Sequence, residues 1–180
     1  GAGKCIAKRA AGFDMKMSAV DIYPMQGTPE VPVVESMDGL PDCLAEADVV
    51  AICLPLTSAT EEMFTDEHFG YMKPGAFLIN VMRGEIIDHQ ALLRALDSGR
   101  LRGAGLDVHY KEPLPSDDPL WSNPNVVMTP HTAGASQLRS GRNYERLSRT
   151  SVVFAVESRF SERSTRSWAS SLEISPVLSR

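Results

Sequence analysis

Basic charge is scarce in this chain: 18 Lys and Arg stand against 23 Asp and Glu, giving a net charge of -5 and a pI near 5.4. Surfaces that hold nucleic acid or anionic membrane are built from clustered Lys and Arg. Those partner classes are therefore set aside, and small molecules are the expected ligands. Long apolar runs are also missing. None reaches the ~18 residues of a membrane span, and the start of the chain has no signal-type pairing of basic and apolar regions. A soluble, cytoplasmic protein is expected. Cysteine is sparse: Cys5, Cys43 and Cys53 make an odd count in unrelated contexts, without C-x-x-C spacing. That speaks against a disulfide framework and against a metal site, so reduced structural thiols are expected.

What is present is a chain of 180 residues, 43% hydrophobic, long enough for one domain with a sizeable core. The opening GAGKCIAKRAAGF reads as a helix, MKMSAVDIY as a strand ending at Asp21, and VPVVE as a short strand. DGLPDCLAEA has an amphipathic helical pattern. In ADVVAICLPL the unbroken apolar, β-branched run predicts a strand buried on both faces. Thr65 is placed to cap a helix, AFLINVM is the next strand, and Asp88 caps a helix in which Leu92, Leu93 and Leu96 share a face until Gly99. Strand GAGLDV, a polar stretch from His109 to Pro124, strand NVVMTP and a helix starting near Ala133 complete the pattern. Strands alternating with helices predict an α/β fold with a doubly wound parallel sheet and helices on both faces. Residues 148–180 change character, becoming rich in Ser and Arg without periodicity. They read as a weakly structured tail, for which a non-native end of the reading is more economical than an RNA-binding function, leaving residues 1–147 as the folded domain.

Ligands of open α/β sheets bind outside the carboxyl ends of the strands, so polar residues at those ends are the candidates. Asp21 closes a strand 18 residues after Gly3, where a carboxylate accepts from both hydroxyls of an adenosine ribose and repels a 2'-phosphate. The competing reading is a solvated turn residue. Arg83 offers a guanidinium fork for a carboxylate, and the adjacent Gly84 would let the backbone approach a ligand. Asp107 lies in an apolar strand, where a charge needs a partner, either a ligand or a structural one. His131 ends the last strand with a ring suited to proton exchange near neutrality, and Glu112 is an acid that could hydrogen-bond its second nitrogen. His68, His89 and His109 are expected to be surface or capping residues.

These pieces occur in one order. The run from ADVVAICLPLTSAT through FLINVMRGEIIDHQALLRALDSGRLRGAGLDVHYKEP to NPNVVMTPHTAG resembles the NAD-binding domain of the D-isomer-specific 2-hydroxyacid dehydrogenases, over roughly residues 1–147. The resemblance implies a Rossmann-type fold with NAD as cofactor and a small 2-oxo or 2-hydroxy acid as substrate. In its terms Arg83 binds the substrate, Glu112 supports the histidine, and His131 exchanges the proton while hydride passes between cofactor and substrate. It implies cofactor contacts at Ala2, Gly3, Asp21, Pro55, Leu56, Val81, Met82, Arg83, Asp107, His131 and Gly134. The family usually has smaller residues than Val81 and Met82. Glu112 sets the chain apart from the similar formate dehydrogenases, which carry Gln there; glyoxylate, hydroxypyruvate and phosphoglycerate types stay open.

The resemblance further implies homodimerisation, with 109–124 in the subunit contact, and a non-catalytic corepressor of the same fold is the alternative function. Aligned in this way, Gly3 takes the third glycine of the dinucleotide fingerprint, the one that serves close helix–strand packing. The first central strand of the sheet would then be lacking, and the 180-residue chain alone is expected to be neither stable nor active.

Overall fold

Four short strands, β1 (Val49–Ile52), β2 (Ala76–Asn80), β3 (Leu101–Leu106) and β4 (Val126–Met128), lie side by side in that order and all run parallel. The computed structural model describes residues 2–23 and 25–135. Parallel neighbours need crossover connections. Here α3 (Asp66–Tyr71) joins β1 to β2 and α4 (His89–Asp97) joins β2 to β3, while α1 (Ala2–Ala10) and α2 (Leu40–Glu46) precede the sheet. All four strands therefore deliver their carboxyl ends to one edge, where the following loops gather.

Strand register sorts the side chains into two faces. One carries the rows Val50–Leu78–Ala104–Val126 and Ile52–Asn80–Leu106–Met128. Against it pack Leu44 of α2, Phe69 of α3, and Ala91, Leu92, Ala95 and Leu96 of α4, forming the hydrophobic core. The other face carries Ala51, Ile79, Gly105 and Val127 in register, and is open among the described residues, with Val127 72% exposed. α1 reaches Cys53, the residue after β1.

The helix starts follow their caps. Asp88 Oδ1 accepts the N–H of Gln90 at 2.9 Å and of Ala91 at 3.1 Å. Thr65 begins α3, and the ring of His68 accepts the Thr65 N–H at 3.4 Å. His68 is thus a capping residue, and burial lowers its pKa, in keeping with a neutral acceptor.

Three expectations need correction. The segment ending at Asp21 is not a regular strand; Val20 makes an isolated parallel bridge with Glu35, closed by Glu35 N–H to Ala19 O at 2.8 Å and Asp21 N–H to Glu35 O at 3.1 Å. A ladder extends only where both partners stay extended and neighbours stack on it, and the Gly- and Pro-rich chain between these two segments turns instead. β1 is buried on one face only, because the helices pack on the side of Val50 and Ile52 and leave Val49 and Ala51 exposed. Gly3 does not need to be glycine: a Cβ there would stand 3.5 Å from Cys53 Cβ, an ordinary contact. The compact unit runs Gly1–Gly134, and the helix expected after Ala133, the boundary at 147 and the Ser/Arg-rich tail lie outside the described residues.

Replacing Leu78, which is fully buried, with Ala is expected to cost ~2–5 kcal/mol through lost burial and a residual cavity. Asp88→Ala should cost about 1 kcal/mol through the lost cap. Urea unfolding of the two variants measures both, and equal losses would contradict this account of the core.

Candidate functional site

The centre of the sheet's carboxyl edge is a buried carboxylate. Asp107 follows β3 directly and is 4% exposed. Its Oδ1 accepts the Thr129 hydroxyl at 2.5 Å and the Thr132 N–H at 2.8 Å, and its Oδ2 accepts the Ala133 N–H at 2.7 Å. Burial pushes this carboxyl upward, but those three donors, together with the charge of His131, outweigh it and hold Asp107 below the ordinary carboxylate range. The partner that the sequence demanded for Asp107 is the chain following β4.

That chain carries His131. Its backbone is left-handed, φ 54°, a conformation uncommon for a side-chain-bearing residue. It is fixed by the His131 N–H, which reaches Asp107 O at 2.9 Å and Thr129 O at 3.0 Å. The His131 Nδ1 meets Glu112 Oε2 at 2.7 Å, with both side chains about two-fifths exposed (41% and 38%). Glu112 Oε1 accepts the His109 N–H at 3.1 Å. Partial burial pushes the Glu112 carboxyl up, yet the bonds from His131 and His109 and their charges prevail and lower it. Nδ1 is thereby committed to the carboxylate, and Nε2 makes no hydrogen bond among the described residues. An imidazole held in this way presents one nitrogen to solvent in a fixed direction, as proton exchange requires.

Arg83 lies beyond the end of β2, exposed, and its Nη1 donates to Met82 O at 2.7 Å; it is not hydrogen-bonded to Glu112 or His131. Its backbone is held by Asn80, which is fully buried: Asn80 Nδ2 donates to Arg83 O at 2.8 Å, and Asn80 Oδ1 accepts the Met82 N–H at 3.1 Å. Gly84 has a different role from the one expected. A Cβ there would fall 2.0 Å from His109 C and 2.5 Å from Tyr110 N, so the glycine admits the loop that carries Glu112 rather than a ligand.

Pro55 and Leu56 follow β1, exposed, in a loop closed by buried Thr60, whose hydroxyl donates to Pro55 O at 2.7 Å and accepts the Thr57 N–H at 2.8 Å. Asp21 is half-buried, and its Oδ1 accepts the Tyr23 N–H at 3.0 Å, the local turn weighed as its competing reading. Ala2 and Gly3 begin α1, while Gly134 lies exposed after Ala133. Between the ends of β2, β3 and β4 lies an open cleft of about 320 Å³, lined by Ile79, Val81, Gly105, Asp107, Thr129 and Thr132 among others. Among the described residues no cluster of three His, Cys, Asp or Glu side chains is placed to hold a metal ion. No described helix is long and apolar enough to cross a membrane.

Asn80, Thr60 and Thr129 escaped the sequence reading. The signal that singled out Asp107, a polar residue where an apolar strand ends, applies equally to Asn80 and Thr129. His89 and His109 depart from the surface or capping roles expected of them. The His89 ring is 12% exposed and paired with buried Asp118, and His109 Nε2 is buried with no hydrogen-bond partner among the described residues.

Residues 1–133 match the family model described as the NAD binding domain of D-isomer specific 2-hydroxyacid dehydrogenases. A glyoxylate reductase of Korarchaeum cryptofilum is 38% identical over 152 residues, 84% of this chain and 46% of that protein. A glycerate dehydrogenase of Methylorubrum extorquens is 39% identical over 138 residues, 75% of this chain and 41% of its own length. The crystal structure of a D-isomer specific 2-hydroxyacid dehydrogenase from Xanthobacter autotrophicus Py2, in complex with NADPH and MES, superposes with a TM-score of 0.70 at 35% identity, covering 74% of this chain and 42% of that one. The chain thus spans less than half the length of these relatives.

The Asp107 network has a testable acid limb. Because its folded pKa is lowered, the ionised carboxylate stabilises the fold above the ordinary value near 3.9, and the contribution is lost as pH falls through the lowered value. In Asp107→Asn the amide N–H₂ faces a backbone N–H, an uncompensated clash of donors costing ~1–3 kcal/mol at neutral pH. Melts at a series of pH values should show that loss at neutral pH and a shallower decline below about pH 4. An unchanged decline would contradict the assignment.

Proposed function

The chain belongs to the D-isomer specific 2-hydroxyacid dehydrogenase family, and from that premise we propose that it serves a nicotinamide-dependent oxidoreductase interconverting a small 2-oxo acid and the matching 2-hydroxy acid. The observation that carries this reading is the 2.7 Å contact of His131 with Glu112, which leaves Nε2 open. In the reductive direction His131 gives a proton from Nε2 to the substrate oxygen, and in the oxidative direction it takes one back. Glu112, ionised because its carboxyl is lowered, aims the ring through the bond to Nδ1. Arg83 bonds only Met82 O among the described residues, so its remaining N–H groups can take a substrate carboxylate in a paired fork.

The cleft beside these residues suits a nicotinamide ring. At about 320 Å³ it falls within the usual span of small-molecule sites, with apolar Ile79, Val81 and Val127 against polar Thr129 and Thr132. When bound, the dinucleotide supplies the hydride that joins or leaves the substrate's second carbon. Val81, Met82, Asp107 and Gly134 would border its nicotinamide end, Pro55 and Leu56 its adenosine, and Ala2 and Gly3 its pyrophosphate. Asp21 would take the adenosine ribose through Oδ2, since Oδ1 is engaged by Tyr23. That favours NAD over NADP, although the Xanthobacter relative was crystallised with NADPH. The exposed Tyr110 and Trp121 within 109–124 support homodimerisation through this stretch, and a monomer in sedimentation would refute it.

A full-length protein that carries this domain together with the remaining length found in its relatives should reduce glyoxylate or hydroxypyruvate with NADH in preference to NADPH, whereas the 180-residue chain alone should not. His131→Ala should lower turnover by on the order of a hundredfold or more, with dinucleotide affinity unchanged. Retained turnover in this variant would exclude His131 as the acid/base, and dinucleotide binding without any turnover in the parent would point to a corepressor-type protein.

A further inference from the structure

The chain that presents Glu112 crosses from β3 to the turn at Pro119–Ser122 without regular structure. Such a segment keeps its shape only through side-chain and backbone anchors. Some anchors are internal: the His109 N–H on Glu112 at 3.1 Å, the Trp121 Nε1 on Pro115 O at 2.8 Å, and the Asp118 carboxylate on the Leu120 N–H at 3.0 Å. Two come from one residue outside the segment. His89, the first residue of α4, places its Nε2 3.0 Å from Asp118 Oδ2. The same ring stacks on Tyr110, with centroids 4.0 Å apart and planes inclined at 29°.

Tyr110 precedes Glu112 in the chain and Asp118 follows it, so a single imidazole holds the segment on both sides of the carboxylate. The contact is built rather than incidental, since the His89 and Asp118 side chains are only 12% and 3% exposed. A buried carboxylate needs a complete set of partners, and Asp118 has the Leu120 N–H on one oxygen and His89 on the other. Few side chains offer both an N–H at this reach and a flat face for a phenol ring. Behind the segment Gly84 removes the slack, because the His109–Tyr110 backbone rests where a Cβ would be.

We propose that His89 is a positioning residue for Glu112, and through Glu112 for the ring of His131. The role in turnover rests on the reading of His131 as the acid/base; the geometric coupling does not. Neither His89 nor Asp118 is hydrogen-bonded to Glu112 or His131, so the influence passes through the placement of the segment.

The test follows the His131 ring directly. In protein labelled at the histidine Cε1 carbons, its resonance is assigned by its loss in H131A and followed through a pH titration. In H89A and in Y110L the resonance should shift and broaden, and its titration midpoint should move. In H89Q, which keeps an N–H near the position of Nε2, it should stay close to that of the parent. Turnover in H89A should fall about tenfold with the KM for dinucleotide changed less than twofold, should recover in H89Q, and should show no further loss when H89A is added to H131A. If H89A does not fold, Y110L, which removes the stack and leaves His89 on Asp118, decides by the same resonance. An unmoved His131 titration in folded H89A or Y110L, with only the melting temperature lowered, overturns the proposal. A His131 titration that follows His89 in a full-length protein without turnover supports the positioning role while overturning the functional reading.

Discussion

A buried charge surrounded by hydrogen-bond donors sets the terms for the whole carboxyl edge of the sheet. Stripped of solvent, the Asp107 carboxylate would be a heavy penalty. It is met by the Thr129 hydroxyl and two backbone N–H groups, the charge-assisted kind of bond that is worth most. Because those donors all come from the chain after β4, satisfying the charge also dictates the course of that chain. The His131 backbone is left in a region that an ordinary residue avoids. The conformation is tolerated because the surrounding bonds over-determine it.

From this anchor the other loops join in sequence. Asn80, buried at the end of β2, gives its carbonyl to the Asp107 N–H at 2.9 Å and its side chain to the turn that ends in Arg83. The next residue, Gly84, lies against the backbone of His109 and Tyr110. That segment delivers Glu112, which closes on His131. Three strand ends are thus bound into one framework by hydrogen bonds to Asp107, Asn80 and Glu112 and by the close backbone contact at Gly84. The hydrophobic rows beneath, from Val50 across to Met128, supply the platform.

Much of this was legible because it obeys local rules. Asp88 and Thr65 announce helix starts through short side chains that bond backbone N–H groups. The strands of β2 to β4 appear as apolar runs with turn residues between them. The meeting of Glu112 with His131 was legible through a motif rather than through periodicity, since nothing in the spacing of two loop residues shows that they touch. The failures share a cause. Whether the segment at Asp21 forms a strand, and whether β1 is covered on both faces, depends on neighbours that a linear pattern does not specify. Gly84 reads as flexibility in sequence and proves to be a steric allowance for a distant backbone. His89 reads as a surface helix residue because its partners, Tyr110 and Asp118, come from beyond the following strand.

The contact at Gly84 also bears on how this site can vary over generations. Arg83 and Glu112 sit on loops that meet at Gly84, where the His109–Tyr110 backbone occupies the place of a Cβ. A loop padded by side chains can drift one residue at a time; here a shift in either loop is transmitted to the other undamped. Insertions and deletions in 109–112 are therefore admissible only with a matching change near residue 84. The residue proposed to grip the substrate and the residue that orients the proton donor form a single heritable unit, and an attempt to recast substrate choice by loop exchange succeeds only when both loops are exchanged together.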